Sequence, residues 1–314
     1  MTLFSTGSFD PQGPVAETMA DLWWFMLVLG TAVFILVMAL LIWGLSRRRP
    51  PTDERPSNES PRSYDWWVLG GGVVLPVVIL IVVFGATVLA MTDTPEEIPA
   101  NALVIELVGH QWWWEVHYPD AGFTTANEMH LPVGRPIAIE MTSADVIHSF
   151  WAPALGGKLD LLPDGTNTLV LQADEAGVHN TACAEFCGLQ HAEMGLTVVA
   201  EPPEEFAVWV AGQMEPAAQP ADESAARGEE IFLSSRCVEC HTVRGTPAAG
   251  DAAPDLTHFA SRRRLGAGAA PNNSAELAQW VADPHTIKEG VDMPASQLND
   301  EELAAVVAYL KGLK

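Results

Sequence analysis

CAEFCGLQHAEM, residues 183–194, sets two thiols, an imidazole and a thioether within one short run, with a glutamate between the cysteines. From Cys183 through Cys187 and His191 to Met194 the spacing is C-x3-C-x3-H-x2-M. Soft thiolate and thioether donors favour copper over hard cations. One cysteine with two histidines and a methionine would make a mononuclear blue-copper site, and here there is one cysteine too many. With a second histidine from elsewhere, the set can hold two copper ions bridged by both thiolates. Zinc is the other chemistry of two cysteines and two histidines, but it makes no use of Met194 and its structural sites are spaced differently. His148, in SADVIHSF, follows the apolar run RPIAIEMTS and stands at a strand-to-loop junction, a usual place for a first ligand on a sandwich. His179 competes through its closeness to the cysteines. Surface or capping roles suit the histidines at 110, 117, 130, 258 and 285.

Working outward, residues 103–200 carry short apolar runs punctuated by Gly, Pro and Asp: ALVIELVGHQWWWEVHY, RPIAIEMTS, TNTLVLQAD and MGLTVVAE. Such alternation predicts an antiparallel sandwich or barrel, with the cysteine run in a turn between two of its strands. EPPEEFAVWVAGQ then reads as a short helix with proline in its first turn. Residues 214–223, MEPAAQPADE, are rich in Pro and Ala without a period and read as a linker.

A second soluble module spans 224–314. It opens on a helical pattern, ESAARGEEIFLSSR, and closes on DEELAAVVAYLKGL, where Leu303, Val306, Val307 and Leu310 fall on one helix face and Asp300 is placed as the N-cap. Between them lies CVECH. The chain's four cysteines are an even number that would permit disulfides. The C-x-x-C-H spacing points instead to covalent haem: Cys237 and Cys240 bind the vinyl groups and His241 takes the iron. A redox dithiol or a zinc site is the alternative use of such a motif. Pro254, in APDLT, offers a carbonyl for the second ring nitrogen of His241. Met293, in GVDMPAS, supplies a thioether as the opposite axial ligand, against its plainer use as a packing residue.

Ahead of these modules, Leu22–Leu45 and Trp66–Met91 contain no charged residue. Each exceeds the roughly 20 apolar residues that cross a bilayer, and the pairs Trp23-Trp24 and Trp66-Trp67 suit its interfaces. Pro76, inside the second span, is expected to rely on packed neighbouring helices. The intervening loop holds Arg47, Arg48, Arg49, Arg55 and Arg62, whereas residues 1–21 have no Lys or Arg. The loop is therefore expected in the cytoplasm, with both termini outside. No separate signal peptide is visible in residues 1–21. The divisions are thus 1–91 for the N-terminal segment and spans, 92–213 for the sandwich, 214–223 for the linker and 224–314 for the haem module. At 314 residues the chain has room for two or three domains, and its net charge of −24 argues against nucleic acid and for a basic protein partner.

These motifs together resemble subunit II of haem-copper cytochrome c oxidases of the caa3 type, with a fused class I cytochrome c domain. The resemblance covers nearly the whole chain: the two N-terminal helices, the GHQWWWEVHY strand, the DVIHSF loop, CAEFCGLQHAEM and the CVECH module. It implies a membrane-anchored, multidomain fold: a two-helix transmembrane hairpin, an all-β cupredoxin sandwich and an all-α cytochrome c domain. It implies a dinuclear copper centre, CuA, on His148, Cys183, Cys187, His191, Met194 and the carbonyl of Glu185. The Glu185 side chain would help bind magnesium shared with subunit I. Haem c would be held by Cys237, Cys240, His241 and Met293, and Trp112 would mark the surface where electrons arrive. The implied function is electron relay from a reduced, basic cytochrome donor through haem c and CuA to subunit I, which reduces dioxygen to water, at the outer face of a bacterial cytoplasmic membrane. The electron-input subunit of a CuA-type nitric oxide reductase and a membrane-anchored copper carrier are the competing readings. One departure is Leu69, where the family often has an acidic residue that begins a proton path.

Overall fold

The computed structural model describes residue 7 and residues 9–47, 61–92 and 97–314. The chain divides into a helical unit, Glu17–Glu96, and a second unit of Met1–Ala16 with Glu97–Lys314.

In the helical unit, α1 (Pro14–Ser46) begins before the expected span, because Pro14 suits the first helical position, where its missing N–H costs no hydrogen bond. The second span is α2 (Pro61–Leu69), a π-helical turn (Gly70–Val74) and α3 (Leu75–Thr92) in continuous succession. Both spans are long and apolar enough to cross a membrane and expose their apolar side chains. Pro76 was expected to depend on neighbouring helices. The chain itself widens before it: Leu75 N donates to Gly70 O, which shifts the carbonyls that the proline ring would meet. The arginines at 48, 49 and 55 lie outside the described residues, as does the side chain of Arg62, while Arg47 sits 3.8 Å over the Trp43 ring.

The second unit opens with eleven strands: β1 (Leu103–His110), β2 (Trp113–Tyr118), β3 (Phe123–Ala126), β4 (Glu128–Pro132), β5 (Ile137–Ser143), β6 (His148–Trp151), β7 (Lys158–Leu161), β8 (Asn167–Leu171), β9 (Gly177–Asn180), β10 (Ala182–Cys183) and β11 (Thr197–Glu201). Their sheets run β3-β2-β1-β5-β8, β4-β11-β9 and β10-β6-β7. The sandwich is mixed rather than wholly antiparallel, since β1 pairs parallel with β5 and β11 with β4. Long excursions separate each parallel pair in sequence, and a parallel pair requires that length of crossover. Period-two alternation buries Ile105, Leu107, Trp114, Val116, Ile139 and Met141 between the sheets. GHQWWWEVHY is not one strand. The chain reverses at Gln111–Trp112, so that His110 faces Trp113 across the β1–β2 ladder. The segment before α1 joins the sandwich: Gln12 N donates to Ala154 O at 2.7 Å, and Asp174 N donates to Gln12 O at 2.8 Å.

The expected closing helix is α4 (Pro203–Met214), whose Trp209 stacks on His130 at 4.0 Å. The linker after it is seated rather than loose: Ala217 N donates to Arg244 O, and His258 lies between the carbonyls of Glu215 and Lys314. The haem module contains α5 (Glu223–Ser234), α6 (Cys237–Cys240), a hairpin of β12 (Arg264–Leu265) and β13 (Ala270–Pro271), α7 (Ser274–Ala282) and α8 (Asp300–Gly312), so it is helical apart from that hairpin. The N-cap of α8 is Asn299 and not Asp300. Asn299 Oδ1 accepts from Glu301 N and Glu302 N, and the Glu302 carboxylate accepts from Asn299 N. This reciprocal box satisfies more orphan donors than an aspartate one position later would.

Candidate functional site

Two short strands carry the sulfur cluster. Cys183 ends β10, held against Phe150 of β6, and its N–H donates to Met194 O at 3.1 Å, which folds the intervening loop back on itself. Gly188 permits that loop at φ +116, and any Cβ there would meet Gln111 Nε2 and Trp112 Cζ2 at 3.0 Å. His148 begins β6, and Gly109 makes room for its ring, since a Cβ at 109 would stand 2.8 Å from His148 Cδ2.

The sulfurs of Cys183 and Cys187 are 3.8 Å apart and unlinked, well beyond the roughly 2 Å of a disulfide. His148 Nδ1 lies 3.9 Å from Cys183 Sγ, while His191 Nδ1 and Met194 Sδ each lie 3.8 Å from Cys187 Sγ. The Glu185 carbonyl approaches Cys183 Sγ to 3.3 Å, and the Glu185 side chain is exposed. Donor atoms of His148, Cys183 and Cys187 all fall within 4.8 Å of one another, an arrangement that can hold a metal ion. His179, the competing ligand, lies in β9 opposite Val198.

Charge on the two sulfurs decides what can sit among them. Burial raises the Cys183 thiol, but hydrogen bonding with His148 and with the Ser149 backbone outweighs this and brings it down to about 6. Burial, then the charge on Cys183, pushes Cys187 up to about 12. Without a cation only one sulfur is readily a thiolate, and cations between them would stabilise both as thiolates. The donor set therefore fits copper. Two positioning groups were not legible in the sequence. His148 Nε2 donates to Asp145 Oδ1 at 2.8 Å, which turns Nδ1 toward Cys183 Sγ, 3.9 Å away. Gln111 Nε2 and Trp112 Nε1 both donate to Cys187 O, at 2.6 and 2.9 Å. An acid beside a loop histidine and a glutamine before three tryptophans were the available signals, and neither was specific.

In the haem module, α6 sets Cys237 and Cys240 three residues apart on one helical turn, with His241 immediately after. Cys237, His241, Met293, Leu256, Trp280 and Leu310 line one apolar cavity. His241 Nδ1 donates to Pro254 O at 2.8 Å, so Nε2 carries the lone pair, and burial lowers its pKa and keeps the ring neutral. Neutral imidazole, thioether, paired thiols and apolar walls fit a covalently held haem.

Both soluble modules are similar to known families. Residues 121–201 match the family described as the periplasmic domain of cytochrome c oxidase subunit II, and residues 225–314 match the cytochrome c family. Cytochrome c oxidase subunit 2 of Alkalihalophilus pseudofirmus is 35% identical, over 100% of this chain and 95% of its own. The subunit 2 of Bacillus sp. (strain PS3) is also 35% identical, over 77% of this chain and 72% of its own. Among solved structures, the periplasmic domain of subunit II of cytochrome oxidase of Bradyrhizobium japonicum is 34% identical, covers 37% of this chain and 96% of that one, and has a TM-score of 0.36. The chain belongs to the cytochrome c oxidase subunit 2 family, in the form that carries a fused cytochrome c domain, and is a membrane-anchored subunit of an oxidase.

Proposed function

We propose that this subunit receives electrons from a reduced donor at its cytochrome c domain and passes them by way of the sulfur cluster to subunit I, where dioxygen is reduced to water. The reading rests above all on the sulfur pair, 3.8 Å apart with an imidazole and a thioether beside it. Bound copper and haem c would supply reversible one-electron exchange. The chain supplies the rest. His148, Cys183, Cys187, His191, Met194 and the Glu185 carbonyl would hold copper, and Cys237, Cys240, His241 and Met293 would hold haem.

Cys183, Cys187 and Met194 are 6%, 2% and 1% exposed, so water and exchanging ligands are kept out and the donors cannot rearrange freely. That favours rapid electron exchange and disfavours a carrier, which needs ligands open to metal transfer. Asp145 and the Pro254 carbonyl each fix one imidazole through its remote nitrogen. The exposed Glu185 carboxylate is a suitable hard ligand for a magnesium ion shared with subunit I. By this reading the donor is a basic cytochrome and both redox domains lie outside the cytoplasmic membrane.

Two coppers per chain and a mixed-valence copper resonance in the purified complex are expected, together with c-haem bands in the reduced-minus-oxidised spectrum. A Cys183–Cys187 disulfide or a single zinc would overturn the assignment.

A further inference from the structure

Lys288 is 1% exposed, an unusual position for an ammonium that, among the described residues, has no carboxylate bonded to it. Its Nζ donates to Trp112 O at 2.8 Å, to Glu193 O at 2.7 Å and to Gly266 O at 2.9 Å. Three donors meet three acceptors, so the side chain's hydrogen-bonding capacity is fully used. The carbonyls come from three separate places: the β1–β2 turn, the copper-binding loop one residue before Met194, and the β12–β13 hairpin of the haem module. Burial lowers the lysine to about 8, which still leaves most of it charged at neutral pH.

Other ties surround this knot. Gln190 Nε2 donates to Glu289 O at 2.7 Å, Gly195 N to Ala267 O at 2.8 Å, and Arg263 N to the buried Glu128 carboxylate at 3.0 Å. Gly290 lies against Leu189 and the rim of the Trp112 ring. On the haem side, Trp280 lines the cavity and packs against Gly266, where a Cβ would stand 2.9 Å from Trp280 Cζ3. On the copper side, Trp112 Nε1 donates to Cys187 O at 2.9 Å. A continuous set of contacts therefore runs from the wall of the haem cavity to the backbone of a sulfur ligand, with Lys288 at its centre.

We infer that Lys288 is a positioning residue that locks the cytochrome c domain onto the copper-binding loop in one fixed arrangement, so that the domain is not a tethered carrier that docks and departs. Resting on the relay reading above, this gives Trp112 an internal partner: the module's 288–290 segment covers its turn, and an external donor meets the cytochrome domain instead. With haem held by Cys237, Cys240, His241 and Met293 and copper by the sulfur loop, the junction would keep the two sites at a fixed separation for transfer of one electron, which would oxidise the haem and reduce the copper with no bond made or broken.

Hydrogen-exchange mass spectrometry on the full chain in its complex tests the lock directly. Lys288→Met is expected to speed amide exchange by about tenfold or more in both 110–114 and 264–268, while β5 and α8 keep their protection. The haem and copper absorption should persist, and haem-to-copper transfer after flash reduction should slow and become sensitive to solvent viscosity. Gln190→Ala, a milder change at a partly exposed side chain, should raise exchange in the same two segments less strongly, and it decides the matter should Lys288→Met not assemble. Unchanged exchange at 110–114 in the variant that assembles would overturn the lock, as would a transfer rate that Lys288→Met leaves at its original value. Absence of haem-to-copper transfer in the unmodified complex would instead overturn the relay, with the exchange pattern still deciding the lock.

Discussion

Asp145 shows how much a single side chain outside the ligand set can decide. It lies three residues before His148 and accepts a hydrogen bond from Nε2 at 2.8 Å, which fixes the ring's orientation. Asp145→Asn is therefore expected to weaken copper retention by about 10- to 100-fold while the fold persists, because carboxylates behind ligating histidines carry effects of that size. Copper content after graded chelator dialysis, with circular dichroism as the control for folding, measures it. Retention at the original level would show that the bond does not orient the ligand. Most of the proposed ligand set was legible because Cys183, Cys187, His191 and Met194 lie within one loop, where spacing alone brings them close. His148 was reachable as a strand-end histidine. Asp145 and Gln111 were not, since a carboxylate or amide near a motif has no meaning until the loop is folded.

At the scale of elements, close approach and local charge set the limits. Helix α5 crosses α8 at Gly228, where a Cβ would collide with the Ala305 carbonyl oxygen. Gly228→Ala should push the helices apart and cost about 1–3 kcal/mol, as overpacking does, lowering the haem module's melting temperature. On the β1–β2 ladder, Glu115 lies 3.1 Å from His110 Nε2 and 3.6 Å from His117 Nε2. Burial raises its pKa, but hydrogen bonds to both imidazoles and their charge outweigh that and hold it at about 2, below its ordinary 4.5. A depressed carboxylate contributes stability that is complete above about 4.5 and lost as pH falls toward about 2. Its bond to Glu115 raises the His117 pKa despite opposing burial, so that histidine's share holds below its unfolded value and fades as pH rises through the folded one. Glu115→Gln should thus lower the sandwich's melting temperature near neutrality, with the gap closing as pH falls from about 4.5 to 2; a constant gap would remove the ion cluster from the account. The strand pattern was legible from alternation, yet the break at Gln111–Trp112 was not, because three adjacent tryptophans satisfy the alternation of one long strand as well as that of two short ones.

Across the whole molecule, the net charge of −24 leaves a strongly negative field for a donor to enter. Turnover with a soluble basic cytochrome should fall by about an order of magnitude or more as the Debye length shortens from about 30 Å at 0.01 M salt to about 8 Å at 0.15 M. A flat profile would remove steering from the proposed function. With the cytochrome domain held by Lys288 against the Trp112 turn, that salt dependence belongs to the step from external donor to cytochrome domain, and transfer within the chain should be insensitive to salt.

Spacing along the chain already carried the candidate chemistry and the order of parts: two apolar spans, a sulfur-rich loop, C-x-x-C-H and the helices around it. Such spacing is a property of the unfolded chain as much as of the folded one. The mixed pairing of β1 with β5, the acid behind His148 and the lysine that ties loop to haem module emerge only on folding. Each brings together groups distant in sequence or chooses among equivalent polar partners. Lys288 is the sharpest case, because its backbone acceptors Trp112, Glu193 and Gly266 offer the same carbonyl as any other residue until the fold gathers them around one ammonium.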